Sequence, residues 1–585
     1  MEKEEELDAR DIARMLNEMA DLMEIRGDNH YRIRAYQNAA RSITGLEQSL
    51  YEMWQEDRLT EIDGIGSGLA ATIDEIYTAG TIEELEELKR ELPDGILELL
   101  EIPGLGPKRA HSLFYELNVN NIEDLQSVLE AGEVRELAGF GEKLEKKLQE
   151  RLKKYREYQK FCRIKDAMAI EQRLEDFLDG ISGLIRDYSP AGSLRRKKDL
   201  VRDIDMIIAA EAGDHGDIAD ELMSCQFLGS PRDSRVRQEF NGGLQLSLLY
   251  EDVIEIDFFL VEPGDYSLYL QRLTGSKAHN ERLEEICQQK SLKLDSSGFF
   301  DSDGERIEVE EEKDIYEYLD MQYIIPELRE SRGELEAARH NRLPASPETA
   351  DIKGDLHLHT HYSDGTHSLE DMIEGALRRG YEYIAITDHS VSLRIADGLS
   401  LEKLREQGGA IERLNDEYSD IEILKGIEVD ILPGGELDYA DEVLDELDLV
   451  IASIHSGFNQ SAREITERIV GAMENSAVDI IGHPQGRLLA SREAYRVNMT
   501  RVIEAASATD TCLEINASSS RLDLDDQMAR EAVESNVKIA INTDAHHPGE
   551  YDQMKYGVNV ARRGWVNRED IINTYSTGSL LEFLS

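Results

Sequence analysis

Over residues 351–585 the chain alternates short apolar, β-type runs with helix-period patterns. The β-type runs are Tyr383–Thr387, Ile423–Val429, Leu449–Ile454, Asp479–Gly482, Thr511–Asn516 and Lys538–Asn542. Such alternation predicts parallel strands joined by crossover helices, closed into a barrel. Nine of the 14 histidines fall in this segment, mostly at the ends of these runs. Strand C-termini are where α/β folds assemble their sites.

The densest of these positions is Asp355-Leu356-His357-Leu358-His359, followed by Asp364. His357 and His359 alternate along a strand, so both rings face one way, an arrangement suited to a divalent metal of intermediate softness. Further candidates end later runs: Asp388-His389, Glu428-Val429-Asp430, His455, His483, and Asp544-Ala545-His546-His547. A hydrogen-bonded core histidine would explain any one of them, but not six strand ends that all carry His, Asp or Glu. These residues resemble the PHP (polymerase and histidinol phosphatase) domain across 351–585. The resemblance implies a distorted (β/α)7 barrel, a trinuclear metal site and phosphoesterase activity. It assigns His357, His359, Glu428 and Asp544 to one ion, with Glu428 bridging to a second ion held by His455 and His483. Asp364, His389 and His546 take the third. Mixed imidazole and carboxylate ligation leaves Zn2+, Mn2+ and Fe2+ open. Arg487 is a candidate phosphate contact or an ion pair, while Asp388 and His547 are expected to support ligands rather than be ligands.

Charge complicates the choice of partner. Lys plus Arg is 65 against 121 Asp plus Glu, a formal net charge of −56, which by itself argues against nucleic-acid binding. The acidity is spread along the whole chain, and Lys is scarce, at 21 against 44 Arg. That pattern is expected of a protein living in molar salt, where the Debye length is about 3 Å. There is no long apolar run of membrane-spanning length, Met1 to Asp8 is acidic rather than signal-like, and the four cysteines form no CxxC pair. A membrane partner is not expected; a reducing cytoplasm is.

Residues 9–58 and 142–180 read as helical. Between them lie Ile62-Asp63-Gly64-Ile65-Gly66 and Ile102-Pro103-Gly104-Leu105-Gly106, with a weaker third copy at Leu137-Ala138-Gly139-Phe140-Gly141. Each places a glycine turn before a helix, so that backbone N–H groups can approach a phosphate. Lys108 and Arg109 add positive charge beside the second copy. Such contacts read backbone rather than sequence and depend little on net charge.

The central segment carries Gly192-Ser193-Leu194-Arg195-Arg196, then Asp203-Ile204-Asp205, then Asp257. Asp203 and Asp205 share a strand face, and clustered carboxylates are costly unless they bind cations. Two Mg2+ or Mn2+ ions held there would suit nucleotidyl transfer. With Gly27–Tyr36, the hairpins and Leu273–Asn280, this half resembles family X DNA polymerases. The resemblance makes Asp203, Asp205 and Asp257 the catalytic carboxylates. It makes Gly192, Ser193, Arg195 and Arg196 nucleotide contacts, Asn280 a base-edge contact, and Gly64, Gly66, Gly104, Gly106, Lys108 and Arg109 DNA contacts.

The whole chain thus resembles the PolX type found in bacteria and archaea. The expected architecture is multidomain, α+β then α/β. A helical DNA-binding region with helix-hairpin-helix motifs spans 1–90 and 91–160, a palm 161–262, a thumb 263–328, a linker 329–350 and a PHP barrel 351–585. The expected partners of this monomer are gapped or nicked DNA and dNTPs. The expected activity is gap filling in DNA repair with 3′-end hydrolysis. The alternatives are a polymerase half weakened to a scaffold, or a histidinol-phosphate-type phosphatase. The sequence departs from the family at Thr72, where repair members carry a Schiff-base lysine, and at Arg202, Phe258, Phe259, Arg272 and Leu273 around the palm.

Overall fold

The computed structural model describes residues 9–44, 50–62, 64–229, 237–240, 243–251 and 253–585. The acidic start Met1 to Asp8 and Asp63 of the first hairpin lie outside the described residues. The chain divides into two units, Met1–Gln159 and Lys160–Ser585.

The first unit is helical, with its own core from Ile12 to Leu152. Its three glycine turns share one construction. A short 3-10 turn leads into a bond from Ile65 N–H to Ile62, Leu105 N–H to Ile102 or Phe140 N–H to Leu137, at 3.0, 2.9 and 3.1 Å. The first glycine of each turn, Gly64, Gly104 and Gly139, has positive φ, which a side chain would resist. Helices Ser67–Ala79, Pro107–Leu117 and Glu142–Tyr158 follow. The third copy, the weakest in sequence, repeats this turn but departs at its second glycine, where Gly141 has φ +125° against −87° at Gly66 and −84° at Gly106.

The second unit begins with a mixed sheet in which strand Asp203–Ala209 runs parallel to Ile254–Val261 and antiparallel to Asp187–Pro190. Gly243–Tyr250 pairs antiparallel with Ile254–Val261. A helical segment with its own buried cluster follows, including Leu283, Ile315, Tyr316 and Leu328. Residues 329–350, expected as a linker, do not behave as one. Arg329 is fully buried, and Leu335 and Ala338 of helix Glu334–Arg339 sit in the same cluster. The segment's polarity concealed two apolar residues that share a helix face three positions apart.

Seven parallel strands then pair in sequence order, from Gly354–Leu358 through Tyr383–Ile386, Glu422–Asp430, Leu449–Ser453, Ile480–Ile481 and Cys512–Asn516 to Ile539–Asn542. The His359 N–H bonds to Ala545 O at 2.9 Å, drawing the last strand's exit to the first and nearly closing the barrel. All seven strands are buried along their length apart from Glu422 and Lys425, as expected for a parallel sheet covered by helices.

Candidate functional site

The C-terminal ends of the barrel strands converge their polar side chains on one point. His357 is the last residue but one of the first strand and His359 follows that strand, with ring centroids 5.1 Å apart. Asp364 Oδ1 lies 3.3 Å from His546 Nε2 and 3.6 Å from His389 Nε2. Glu428 is central: its Oε1 lies 3.1 Å from His483 Nε2, 3.3 Å from His455 Nε2 and 3.5 Å from His357 Nε2. Asp544 Oδ1 is 3.1 Å from His359 Nε2. All nine residues assigned by resemblance thus come together.

Ligand atoms of eight of the nine form three compact groups: His359, Asp364, His389 and His546; His357, His359 and Asp544; and His389, Glu428 and His455; His483 falls in none of the three and meets the cluster through Glu428. Each group contains most of the residues the resemblance gave to one ion, but His359 and His389 are each shared between two groups, and Glu428 lies outside the His357 group. Buried atoms there without a hydrogen-bond partner include His357 Nε2, both ring nitrogens of His359, His389 Nδ1, Glu428 Oε2 and His483 Nδ1. His389 Nδ1 is only 2.7 Å from Glu428 Oε2, yet the two are not aligned to share a proton. Buried donors and acceptors left this way are costly in a protein interior. Lone pairs converging on common points are what divalent cations require, so the donor set fits them.

A supporting layer surrounds these residues, and sequence reasoning missed most of it. Glu514, fully buried, accepts from His357 Nδ1 at 2.7 Å and from the His483 N–H at 2.8 Å. Asp430 faces His455 Nδ1 at 3.1 Å. The alternation Cys512, Glu514, Asn516 on one strand was the available signal for Glu514. Asp388 accepts from Thr360, Ser363 and Gln407, none of them a candidate ligand. His547 instead caps the turn at Gly549 and lies outside this layer. Burial alone would raise the Glu428 and Asp544 carboxyls, but the surrounding imidazoles hold both well below the usual carboxylate range. Burial opposes protonation of His357, yet the facing Glu514, Glu428 and Asp544 carboxylates raise it well above its ordinary value.

In the mixed sheet, Asp205 stands directly opposite Asp257 in the parallel pairing, and Asp203 lies two residues back on the same face. Burial first, then Asp203 and Asp257, push the Asp205 carboxyl up to about 7. Burial and Asp257 also raise Asp203. Ser247, on the next strand, donates to Asp257. Gly192 has φ +56°, and a Cβ there would lie 1.9 Å from Asp205 Oδ2, so only glycine fits. The adjacent Ser193 Oγ is buried without a partner.

Three expected nucleotide contacts are engaged elsewhere. Arg195 makes two bonds to Glu312, one at 2.9 Å, and one to Thr274 Oγ1 at 2.6 Å. Glu312 in turn pairs with the buried Arg329, so Arg195 ties the sheet to the following helical segment. Arg196 bonds Glu330 at 2.9 Å and the Thr274 carbonyl. The Asn280 amide is held by Gln271 and by the Arg272 carbonyl. Arg272 pairs with Glu284, Phe258 is fully buried, and the Arg202 side chain is exposed.

At the hairpins, the N-caps Gly66, Gly106 and Gly141 offer no side chain to their helices, leaving first-turn N–H groups without side-chain caps. Lys108 extends into solvent 3.7 Å from Glu24, whereas Arg109 folds back on the Gly104 carbonyl at 2.5 Å. Arg487, the candidate phosphate contact, is instead ion-paired with Asp199 at 2.7 Å.

A carboxylate triad beside a glycine-serine turn, joined to a histidine-rich barrel centre, defines a nucleotidyltransferase coupled to a metal-dependent phosphoesterase. Family comparisons agree by segment. The helix-hairpin-helix domain matches residues 8–82, the SAM-like helix-hairpin-helix tandem 56–118 and 96–154, the DNA polymerase beta thumb 269–330 and the PHP domain 355–518. The DNA polymerase/3′-5′ exonuclease PolX of Bacillus subtilis (strain 168) is 38% identical over 577 residues, covering 98% of this chain and 99% of that one. A probable phosphatase of Thermoanaerobacter sp. (strain X514) is 31% identical over 242 residues, which is 39% of this chain and 94% of that protein. The chain belongs to the PolX family.

Proposed function

We propose that this protein is a DNA polymerase that fills short gaps and a 3′–5′ exonuclease that clears 3′ ends. The observation that carries the reading is that one chain holds two distinct polar centres of complementary chemistry. One is a carboxylate triad set against an unpartnered serine and an obligatory glycine. The other is a buried imidazole-carboxylate cluster whose lone pairs converge. The full-length likeness to the Bacillus subtilis protein supports both activities in one molecule.

Asp203, Asp205 and Asp257 would hold Mg2+ or Mn2+. Bound there, the ions supply activation of the primer 3′-hydroxyl and neutralisation of the triphosphate. Gly192 and Ser193 would receive phosphate oxygens through an N–H and a free hydroxyl. Arg196 would exchange Glu330 for the triphosphate, whereas Arg195 holds the sheet against the thumb. In the barrel, His357, His359, Asp364, His389, Glu428, His455, His483, Asp544 and His546 would hold up to three ions drawn from Zn2+, Mn2+ and Fe2+. Such ions supply a nucleophilic hydroxide and offset phosphate charge. Glu514 and Asp430 hold the His357 and His455 rings in orientation.

The three hairpins would grip gapped or nicked duplex through backbone N–H groups at Gly66, Gly106 and Gly141, helped by Lys108. Among the described residues no helix is long and apolar enough to cross a membrane. We take the protein to act as a cytoplasmic monomer in DNA repair.

The test is a gapped duplex labelled at the 3′ or 5′ end, incubated with and without dNTPs across KCl concentrations. Asp205→Ala should abolish incorporation and spare 3′ trimming, and His357→Ala should do the reverse. Loss of both activities in either folded variant would overturn independent sites.

A further inference from the structure

Asp199 lies in the loop between the Gly192-Ser193 turn and the strand that begins at Asp203. Nothing in nucleotidyl transfer calls for it. Its carboxylate reaches out of the palm instead. Oδ2 accepts from Arg487 at 2.7 Å, and Oδ1 accepts from Arg563. Arg563 is 1% exposed, also donates to the Lys197 carbonyl, and approaches Asp526 Oδ2 at 3.4 Å. Arg332 meets the same Asp526 oxygen at 3.0 Å.

The barrel side of this clamp is the loop that carries His483. His483 has φ +29°, a conformation that a residue with a Cβ resists and that its surroundings must hold. Four residues on, the Arg487 N–H bonds Asp523 at 3.2 Å, and its guanidinium also bonds the Leu522 carbonyl. The Gln485 N–H shares Asp523 at 3.0 Å. The other end of that second loop is tied inward, with Arg521 Nε 3.5 Å from Asp544 Oδ2. Both loops pinned by Arg487 therefore lead within a few residues to members of the barrel cluster.

We infer that Asp199, a palm residue, is a positioning residue of the phosphoesterase site, fixing through Arg487 the loop that presents His483. The energetic basis is a guanidinium in which both partners are mostly withdrawn from water. Removing one partner leaves the other charge poorly compensated. Arg487 then relaxes, and the turn that holds His483 in its unfavourable conformation loses its anchor.

The experiment compares wild type, Asp199→Asn, Asp199→Glu, Arg487→Gln and the Asp199→Asn/Arg487→Gln pair. Read out are thermal melting, Mn2+ binding by calorimetry, and kcat and KM for 3′ trimming at saturating and limiting Mn2+. Outer residues that orient ligands typically affect metal affinity by about tenfold or more. Asp199→Asn should raise the Mn2+ concentration for half-saturation about tenfold, lower kcat at limiting Mn2+, and leave KM for DNA unchanged. Asp199→Glu should recover much of this, and Arg487→Gln should add little on top of Asp199→Asn. A purely structural role would lower the melting temperature while leaving Mn2+ binding as in wild type; that result would overturn the inference. Arg487→Gln removes the same contact from the barrel side, so unfolding of the Asp199 variants alone does not remove the test. Because Mn2+ binding is read by calorimetry, a wild type that binds Mn2+ but trims no DNA would refute the proposed exonuclease and leave this inference to its own isotherms.

Discussion

Glu514 Oε1 lies 2.7 Å from Nδ1 of His357, and neither side chain is accessible to solvent. The contact fixes which ring nitrogen faces the barrel centre, because a carboxylate at Nδ1 keeps the proton there, so that a cation need displace only the proton on Nε2. Glu514→Gln should therefore cut 3′ trimming by about 10- to 100-fold and weaken Mn2+ binding to a similar degree. Nucleotide incorporation should stay within about twofold of wild type. Parallel exonuclease and gap-filling assays check it, and wild-type trimming by a folded variant would count against this role.

The palm should respond to pH through Asp205. Its carboxyl is raised from 3.8 to about 7, by burial first and then by Asp203 and Asp257. The folded palm therefore retains a proton that the unfolded chain gives up near pH 4. The stability this provides is complete below that point and is lost as pH rises through about 7. A cation reverses the balance, since it requires the carboxylate and must displace the proton below pH 7. The Mg2+ concentration for half-maximal incorporation should then rise about tenfold per pH unit on going below 7 and level off above it. Mg2+ titrations at pH 6, 7 and 8 measure this; an unchanged requirement between pH 6 and 7 would contradict it.

No Schiff-base lyase activity is expected. Thr72 stands where repair members carry the reactive lysine, and its hydroxyl donates to the Gly68 carbonyl at 3.2 Å within helix Ser67–Ala79. A hydroxyl cannot form an imine. Borohydride trapping on a 5′-phosphorylated abasic substrate should give no adduct. A covalent product mapping near Thr72 would refute the expectation.

The barrel centre was legible because two periodicities coincided. Alternation placed His357 and His359 on one face, and the strand ends placed the remaining ligands around it. The supporting residues were not legible. Glu514 is one carboxylate in a chain with 121 of them, and its meaning appears only once the inward face of strand Cys512–Asn516 is known. Arg195 sits in a turn whose residue types suggested phosphate, but its partner Glu312 is 117 residues away, beyond any local pattern. Residues 329–350 have linker chemistry everywhere except at the few positions that anchor them. The third hairpin shows the opposite case, in which a weak sequence copy keeps the first-glycine turn of the stronger two and differs at its second glycine, Gly141.

Salt dependence should run opposite to that of an ordinary DNA binder. A net charge of −56 opposes compaction and association until it is screened. At molar KCl the Debye length is about 3 Å, while contacts from hairpin N–H groups to phosphate act at shorter range. Melting temperature and gap-filling rate should rise from roughly 0.1 M toward molar KCl before counterion competition prevails. Thermal melts and rates over that series decide it. Full activity at low salt with a melting temperature flat or falling in KCl would rule out this behaviour.

The in-register pairing of Asp205 with Asp257 limits how the palm can change over evolutionary time. A single residue inserted or deleted early in strand Ile254–Val261 would place Ile256 or Phe258 opposite Asp205 and turn the carboxylate to the other face. The same shift would part Asp257 from Ser247 on the strand beyond. Odd changes in length are thus forbidden inside these three strands and tolerated only in the connections between them. Descendants can lengthen or shorten those connections freely, but the strands must be inherited as a block.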